Sequence, residues 1–252
     1  MKQEQNPQQA AASFLSILRQ SRYAVALTGA GVSTASGIPD FRGAGGLYSK
    51  ISPQTFELDF FLSSPEEYYK IAIEHIHPLA DKTPNPTHQM LARLEKENLL
   101  KALITQNIDG LHTKAGSQNV IEFHGNVLHF HCLNCNDPCT RDQVDEQIRR
   151  RKVPRCTRCG GLIRPDIVFF GDLIPPDALQ KAQEWVRQAD VFVVLGSSLE
   201  VNPAASLAYD AHRNGARLLI ANRGPTRLDP IAHERYELDL TDFSNAVLQN
   251  LQ

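Results

Sequence analysis

Tyr23-Ala-Val-Ala-Leu-Thr28 runs directly into Gly29-Ala30-Gly31. A short apolar run ending on closely spaced glycines reads as a buried parallel strand that feeds a glycine turn and a helix. A strand covered on both faces has no polar side to alternate with. Three further runs share this character: Ala102-Leu-Ile-Thr105, Val191-Phe-Val-Val-Leu195 and Arg217-Leu-Leu-Ile-Ala221. Helical patterns bracket them over residues 11–19, 86–99, 177–189 and 203–214, the first carrying Phe14, Leu15 and Leu18 on one face. Such alternation predicts an α/β fold with a parallel sheet covered by helices on both faces.

Two stretches break the alternation and are expected outside the main sheet. Residues 52–78 space Phe56, Phe60, Phe61, Leu62, Tyr68, Ile71 and Ile76 as helices that pack on one another. Residues 132–161 are polar and basic and hold all five cysteines. A segment so poor in aliphatic side chains buries little apolar surface and needs a metal to hold it together. The 252 residues therefore fit one large α/β domain or a main domain with a small appendage.

Composition excludes several classes. At 42% hydrophobic and 21% charged the chain has the makings of an ordinary buried core. A formal net charge of −2 gives no long-range attraction to a polyanion, so nucleic acid is not an expected partner. No apolar run reaches the ~18–20 residues of a membrane span, and the Gln-rich start lacks a signal-peptide core, so a cytoplasmic location is expected.

Cys132-x-x-Cys135 and Cys156-x-x-Cys159, twenty residues apart, suit two knuckles around one tetrahedral zinc. Four thiolates leave no open coordination position, which makes such a metal structural; redox thiols are the rival reading. Gly160 and Gly161 permit a turn whose amides point at sulfur. His131 and Cys139 lie close by but fit neither pair, and Cys139 is expected to pack as a small side chain. The basic set Arg149, Arg150, Arg151, Lys152, Arg155 and Arg158 reads as a solvated face, with a docking surface for an acidic partner as the alternative.

The glycine turn is a variant of the dinucleotide fingerprint, since Gly37 stands six residues after Gly31. Glycine lets a backbone approach a pyrophosphate while the next helix presents free N–H groups; a tight turn without ligand is the competing reading. Polar clusters end the other strands: Thr105-Gln106-Asn107-Ile108-Asp109, Gly196-Ser197-Ser198 and Asn222-Arg223-Gly224. Ligands of open α/β sheets bind along that edge.

Taken in order, Gly29-Ala-Gly-Val-Ser-Thr-Ala-Ser-Gly-Ile-Pro-Asp-Phe-Arg42, Thr105-Gln-Asn-Ile-Asp109, Phe123-His-Gly-Asn126, the two cysteine pairs, Val168-Phe-Phe-Gly171 and Gly196-Ser-Ser198 resemble the motifs of the sirtuin family. The resemblance spans roughly residues 25–225 and is nearest to the bacterial deacetylases. It implies a Rossmann-like NAD-binding domain (residues 1–42, 79–126 and 165–252) and a smaller domain made of a helical insertion and a zinc module (residues 43–78 and 127–164). It also implies NAD as a consumed co-substrate, structural zinc, and acetyl-lysine proteins or peptides as partners. In that family the acyl oxygen displaces nicotinamide from the ribose, an imidazole helps a ribose hydroxyl attack, and the acyl group leaves on ADP-ribose.

Carried onto this chain, the resemblance makes His124 the catalytic base and Asn107 the residue that orients ribose or water. A histidine's ordinary pKa near 6.5 suits proton removal at neutral pH. Gly125 is expected to keep the cleft open. The implied dinucleotide contacts are Gly29, Ala30, Gly31, Thr34, Asp40, Phe41, Arg42, Gln106, Asn107, Ile108, Asp109, Gly196, Ser197, Ser198, Asn222 and Arg223. Asp109 is expected to accept from the nicotinamide carboxamide, and Phe41 to cover the anomeric carbon. Residues 39–46 read as a mobile lid. The peptide is expected between two strands, Val168-Phe169-Phe170-Gly171 and Leu199-Glu200-Val201, and Ile108, Val168 and Phe170 to line an acyl tunnel.

Family members that remove acidic acyl groups carry a Tyr-x-x-Arg pair, and the matching stretch here is Tyr69-Lys-Ile-Ala72. Without the arginine a buried carboxylate stays unpaired, so neutral acyl groups are favoured, although Ala44 is shared with the acidic-acyl branch. The competing functions are a hydride-transferring oxidoreductase, an ADP-ribosyltransferase and a non-catalytic acyl-lysine reader. Retention of His124 with Gln106-Asn107-Ile108-Asp109 argues against the reader.

Overall fold

The computed structural model describes residues 6–41, 43, 45–150 and 153–251, so Arg42, Ala44, Arg151 and Lys152, singled out above, lie outside it. Strands β1 (Ala24–Thr28), β2 (Ala102–Thr105), β3 (Val120–Glu122), β7 (Val191–Leu195), β8 (Arg217–Ala221) and β9 (Glu234–Tyr236) form one sheet in the order β3-β2-β1-β7-β8-β9. Every pairing in it is parallel.

The continuous apolar runs have the expected cause. Alternate residues of one strand enter different cores: Ala24 and Ala26 pack on one face of the sheet, Val25 and Leu27 on the other. Val191, Val193 and Leu195 divide from Phe192 and Val194 in the same way. Helices α1 (Pro7–Gln20), α4 (Pro86–Lys96) and α9 (Leu240–Gln249) close the first face. Helices α7 (Pro176–Gln188) and α8 (Ala204–Arg213) close the second. Three of these starts are fixed by side chains: Asn6 caps α1 by accepting from Gln8 N, Asn85 with His88 forms a reciprocal cap on α4, and Asp239 caps α9 by accepting from Thr241 N.

A third core lies away from this sheet. It packs α2 (Leu58–Ser63), α3 (Pro65–His75) and α6 (Arg141–Arg149) with a three-stranded antiparallel sheet of β4 (Gly125–Cys132), β5 (Pro138–Thr140) and β6 (Ile163–Ile167). Phe61 stands at its centre, fully buried and stacked on Phe169 at 5.2 Å, with Tyr68 edge-on at 5.0 Å. The helices expected in residues 52–78 are thus present, but no sequence pattern announced the small sheet. His77 and Asp145 are buried partners at 2.6 Å, and Arg141 clasps both Asp145 and Asp81. Arg150 and Arg158 of the basic set pair with Glu146 and Asp137.

Chain order places the switch point of the large sheet beside β1. From there the chain moves outward through β2 and β3, then returns to β7 on β1's other flank. Adjacent strands therefore leave the sheet in opposite directions, opening a crevice at their carboxyl ends. The segment after β1 is a 3-10 helix, Ala30–Ser36, where the glycine turn predicted an ordinary helix start. The tighter winding follows from contact with the turn after β7: Gly31 N donates to Gly196 O at 2.9 Å. A Cβ on Gly31 would sit 2.8 Å from Gly196 Cα, and Gly196 itself holds φ +60.

Candidate active site

The crevice is a cavity of about 1530 Å³. Its walls come from the turns after β1, β2, β3, β7 and β8 and from the segment after β6. Gly29, Ala30, Gly31 and Thr34 line it after β1, Gln106, Asn107 and Ile108 after β2, Gly196, Ser197 and Ser198 after β7, and Asn222 and Arg223 after β8. Hydrogen bonds tie these turns together. Gln106 Nε2 donates to Ser197 Oγ at 2.9 Å, and Asn107 Nδ2 donates to Gly29 O at 3.2 Å and Ser33 Oγ at 3.1 Å.

His124 follows β3, and the chain then enters β4, so the residue stands where the two sheets meet. Val168 N donates to its carbonyl oxygen at 2.9 Å, and Phe123 N donates to Thr105 O at 2.8 Å. The ring's Nδ1 lies 3.0 Å from Gln106 O. A carbonyl oxygen only accepts, so this contact assigns the proton to Nδ1 and leaves the lone pair on Nε2. Burial lowers the imidazole's pKa below the usual histidine value, partly countered by the Gln106 contact. The half-buried ring lines the cavity.

Gly125 does not line the cavity. It adopts φ +73, and a Cβ there would fall 1.7 Å from Asp166 O, where β4 crosses β6. Glycine is needed for that crossing, in place of the cleft-opening role expected from sequence.

Asp109 also differs from expectation. It is 4% exposed and is not among the cavity-lining residues; its carboxylate accepts from Leu111 N at 2.9 Å and Ser33 Oγ at 2.7 Å. Burial raises its pKa, and these two bonds partly offset the rise. Behind Ser33 lies His88, fully buried, whose Nδ1 accepts from Asn85 N at 3.3 Å and whose Nε2 faces Ser33 Oγ at 3.4 Å. Its pKa is pushed down to about 4 by burial. The ring of His112 lies 4.7 Å from it, tilted by 54°, meets Thr28 Oγ1 at 2.9 Å and is held well below the usual histidine value by burial and by His88. This shell behind the wall was missed by sequence reasoning, although Ser33 lies inside the glycine motif and His88 completes a legible cap. Asp239, Leu240 and Thr241, which line the cavity from the start of α9, carried no signal at all.

Phe41 lines the cavity, packed on Tyr48 at 5.4 Å and Phe56 at 5.6 Å. Asp40 accepts from Gly43 N at 2.6 Å. Val168, Phe169, Phe170 and Gly171 also line the cavity, as do Glu200 and Val201, whereas Leu199 is buried with φ +58. The two expected strands are extended or looped segments. Phe170 makes a single bridge with Glu57, its N donating to Phe56 O at 2.7 Å, and no strand covers residues 199–201.

The sulfurs of Cys132, Cys135, Cys156 and Cys159 all lie within 4.8 Å of one another, with adjacent pairs at 3.4–3.7 Å. Tetrahedral zinc with bonds of about 2.3 Å requires sulfurs roughly 3.8 Å apart, so the donor set fits that ion. Asn134 N points at Cys132 Sγ at 3.3 Å, and Gly161 N bonds Cys159, the amide-to-sulfur turn expected from the glycines. Cys139 stays outside the cluster, and His131 is engaged by Asp166.

These features recur in known proteins. The Sir2 family profile matches residues 29–203. The NAD-dependent protein deacetylase of Thermotoga maritima is 48% identical over 94% of this chain and 96% of its own length. A Sir2 structure holding a p53 peptide and NAD+ superposes with a TM-score of 0.90 at 46% identity, covering 94% of this chain and 97% of that one. Another, with deacetylated p53 peptide and 3'-O-acetyl-ADP-ribose, gives 0.92 at 47% identity, covering 95% and 97%. With the family profile matched over more than half of its length and a relative 48% identical along nearly all of it, the chain belongs to the Sir2 family.

Proposed function

We propose that the protein is an NAD-dependent protein-lysine deacetylase that moves the acetyl group from lysine to ADP-ribose and releases nicotinamide. The single observation that carries this reading is His124: its Nδ1 is fixed on Gln106 O, its Nε2 is left basic, and it faces the cavity beside the glycine cradle. When bound, NAD supplies the electrophilic ribose carbon and the nicotinamide leaving group.

The residues divide the remaining work. Gly29, Ala30, Gly31, Gly196 and Ser197 line the cavity where the turns after β1 and β7 cross too closely for side chains, and this backbone-walled stretch fits a pyrophosphate. Ser198, Asn222, Arg223 and Thr34 fit the sugar and base. Asn107, held by Gly29 O and Ser33, orients the reacting ribose, while Gln106 and Ile108 complete that wall. His124 Nε2 takes the proton of a ribose hydroxyl; removing such a base costs typically about 10²–10⁴-fold. Phe41 shields the reacting carbon, with Asp40 and Arg42 as its neighbours in sequence. Asp109, its oxygens committed to Ser33 and Leu111, meets the carboxamide only by sharing those oxygens.

Acetyl-lysine enters between residues 168–171 and 199–201 through backbone pairing. Neutral acyl groups are favoured because Tyr69 spends its hydroxyl on Ile163 O at 2.7 Å, Ala72 is fully buried, and the nearby Arg164 is already held by Asp172. Zinc, held by the four cysteines, supplies cross-linking of the smaller body and no chemistry. The division into domains at residues 42/43, 78/79, 126/127 and 164/165 is proposed in the same sense. The separate third core supports it, although two of these boundaries fall inside β4 and β6. Among the described residues no helix is long and apolar enough to cross a membrane, and a cytoplasmic location is proposed.

The test incubates the protein with NAD and an acetyl-lysine peptide and follows peptide mass and free nicotinamide. Deacetylation in step with nicotinamide release is expected, and His124→Ala should lose at least ~100-fold. Full activity in that variant refutes the role of His124, and faster desuccinylation than deacetylation refutes the acyl preference.

A further inference from the structure

Beside the segments 168–171 and 199–201, two carboxylates line the cavity, Asp172 and Glu200, and their electrostatic situations are opposite. Asp172 is satisfied. Arg164 donates to it through Nη1 at 3.5 Å and Nη2 at 2.6 Å, Phe169 N donates at 3.0 Å, and the two side chains are 15% and 13% exposed. Glu200 meets Arg227 Nη2 at 2.6 Å, but here the side chains are 39% and 61% exposed. Arg227 is not among the lining residues; its backbone N donates to Ser198 O at 3.4 Å, which holds it behind the wall that Glu200 fronts. Glu57, on the segment bridged to Phe170, is an exposed group of the same sign, and Arg223 belongs to the turn after β8.

An ion pair this open to water is weak. A cation that enters the cavity beside Glu200 therefore exchanges with Arg227 at little cost, while an anion meets the carboxylate first. Backbone pairing leaves the side chains beside the acyl-lysine to project from the slot, where a charge at the rim can be felt.

We infer that Glu200 is a specificity-determining residue that reads the charge flanking the acyl-lysine, favouring Lys or Arg over Asp or Glu, with Arg227 as its intramolecular competitor. The inference rests on the deacetylase reading above. It predicts that recognition is tolerant of shape and selective in sign.

The test uses acetyl-lysine peptides identical except for Arg, Gln or Glu at each position within two residues of the modified lysine, and reads kcat/KM. At one or more positions Arg should exceed Glu by roughly 3- to 5-fold at low salt, the size of an exposed pair, and the ratio should shrink as salt rises. Glu200→Gln should bring that ratio toward one. Arg227→Gln should enlarge it, because the competitor is gone. Nicotinamide release with the Gln-flanked peptide reports the reaction itself, and its absence in the unaltered protein sinks the deacetylase reading. Turnover with equal Arg and Glu rates at every position, or a ratio that survives Glu200→Gln or falls in Arg227→Gln, overturns the charge-reading role alone.

Discussion

Acidification should destabilise this protein through His88 well before its carboxylates titrate as a class. The side chain is fully buried, accepts from Asn85 N and holds its pKa at about 4, against about 6.5 in an unfolded chain. The unfolded state therefore binds a proton that the folded state refuses. Stability from this group is complete above the unfolded value and is lost as pH falls from about 6.5 toward about 4. Moving from pH 7 to pH 5 costs roughly 2 kcal/mol, from the ratio of the two protonation terms. His112 and His77, both lowered by burial, act in the same direction; Asp109 and Glu122, both raised, act in the other. The assay that isolates His88 compares urea unfolding at pH 7 and pH 5 for the protein and for His88→Gln. The variant should be less stable at pH 7, having lost a fitted side chain, but should lose roughly 2 kcal/mol less between the two pH values. Parallel pH profiles for the two proteins refute the reasoning, since they would mean that His88 is protonated equally in both states.

Other outcomes follow from the same geometry. Because burial lowers the pKa of His124 and the neutral ring is the active form, deacetylation should persist on acidification and fall only below the ordinary histidine midpoint; a pH–rate profile of kcat/KM that inflects at or above about 6.5 contradicts this. Gly196→Ala forces a Cβ to 2.5 Å from Val32 N at φ +60, so NAD binding measured by calorimetry should weaken at least ~10-fold while the zinc content is unchanged. Phe61→Ala should cost about 3–5 kcal/mol in chemical unfolding, the usual penalty for emptying an aromatic core site. Metal analysis should find about one zinc per chain, and a strong chelator should open residues 132–161 to proteolysis; equal protection with and without chelator counts against a structural metal.

The fold was legible wherever burial was two-sided. β2, β7 and β8 fall on the expected runs because strands covered on both faces cannot hide in an amphipathic pattern. β3 and β9, three residues each at the edges of the sheet, are too short to carry a pattern. The small sheet escaped notice because β4 and β6 mix His, Arg and Asp with their core residues, and their identity as strands comes from partners distant in the chain. At the site, the lining residues were legible from motif order, with Leu199 and Asp109 as the exceptions, both buried and absent from the cavity lining. The supporting shell was not, because His88 and His112 meet only after α4 and the turn beyond β2 have packed. Glu200 was marked as a peptide contact, but its charge gained meaning only beside Arg227, 27 residues later in the chain.

The crossing at residues 122–125 has a mechanical meaning. The chain leaves the last residue of β3, presents His124, and enters β4 on the next residue, with no linker between the large sheet and the small one. Phe123 N is bonded to Thr105 O of β2, His124 Nδ1 lies on Gln106 O, and Val168 N, just beyond β6, is bonded to His124 O, so the imidazole takes its position from both sheets at once. Its orientation is a joint property of the two cores, and a substitution deep in either one can disturb it.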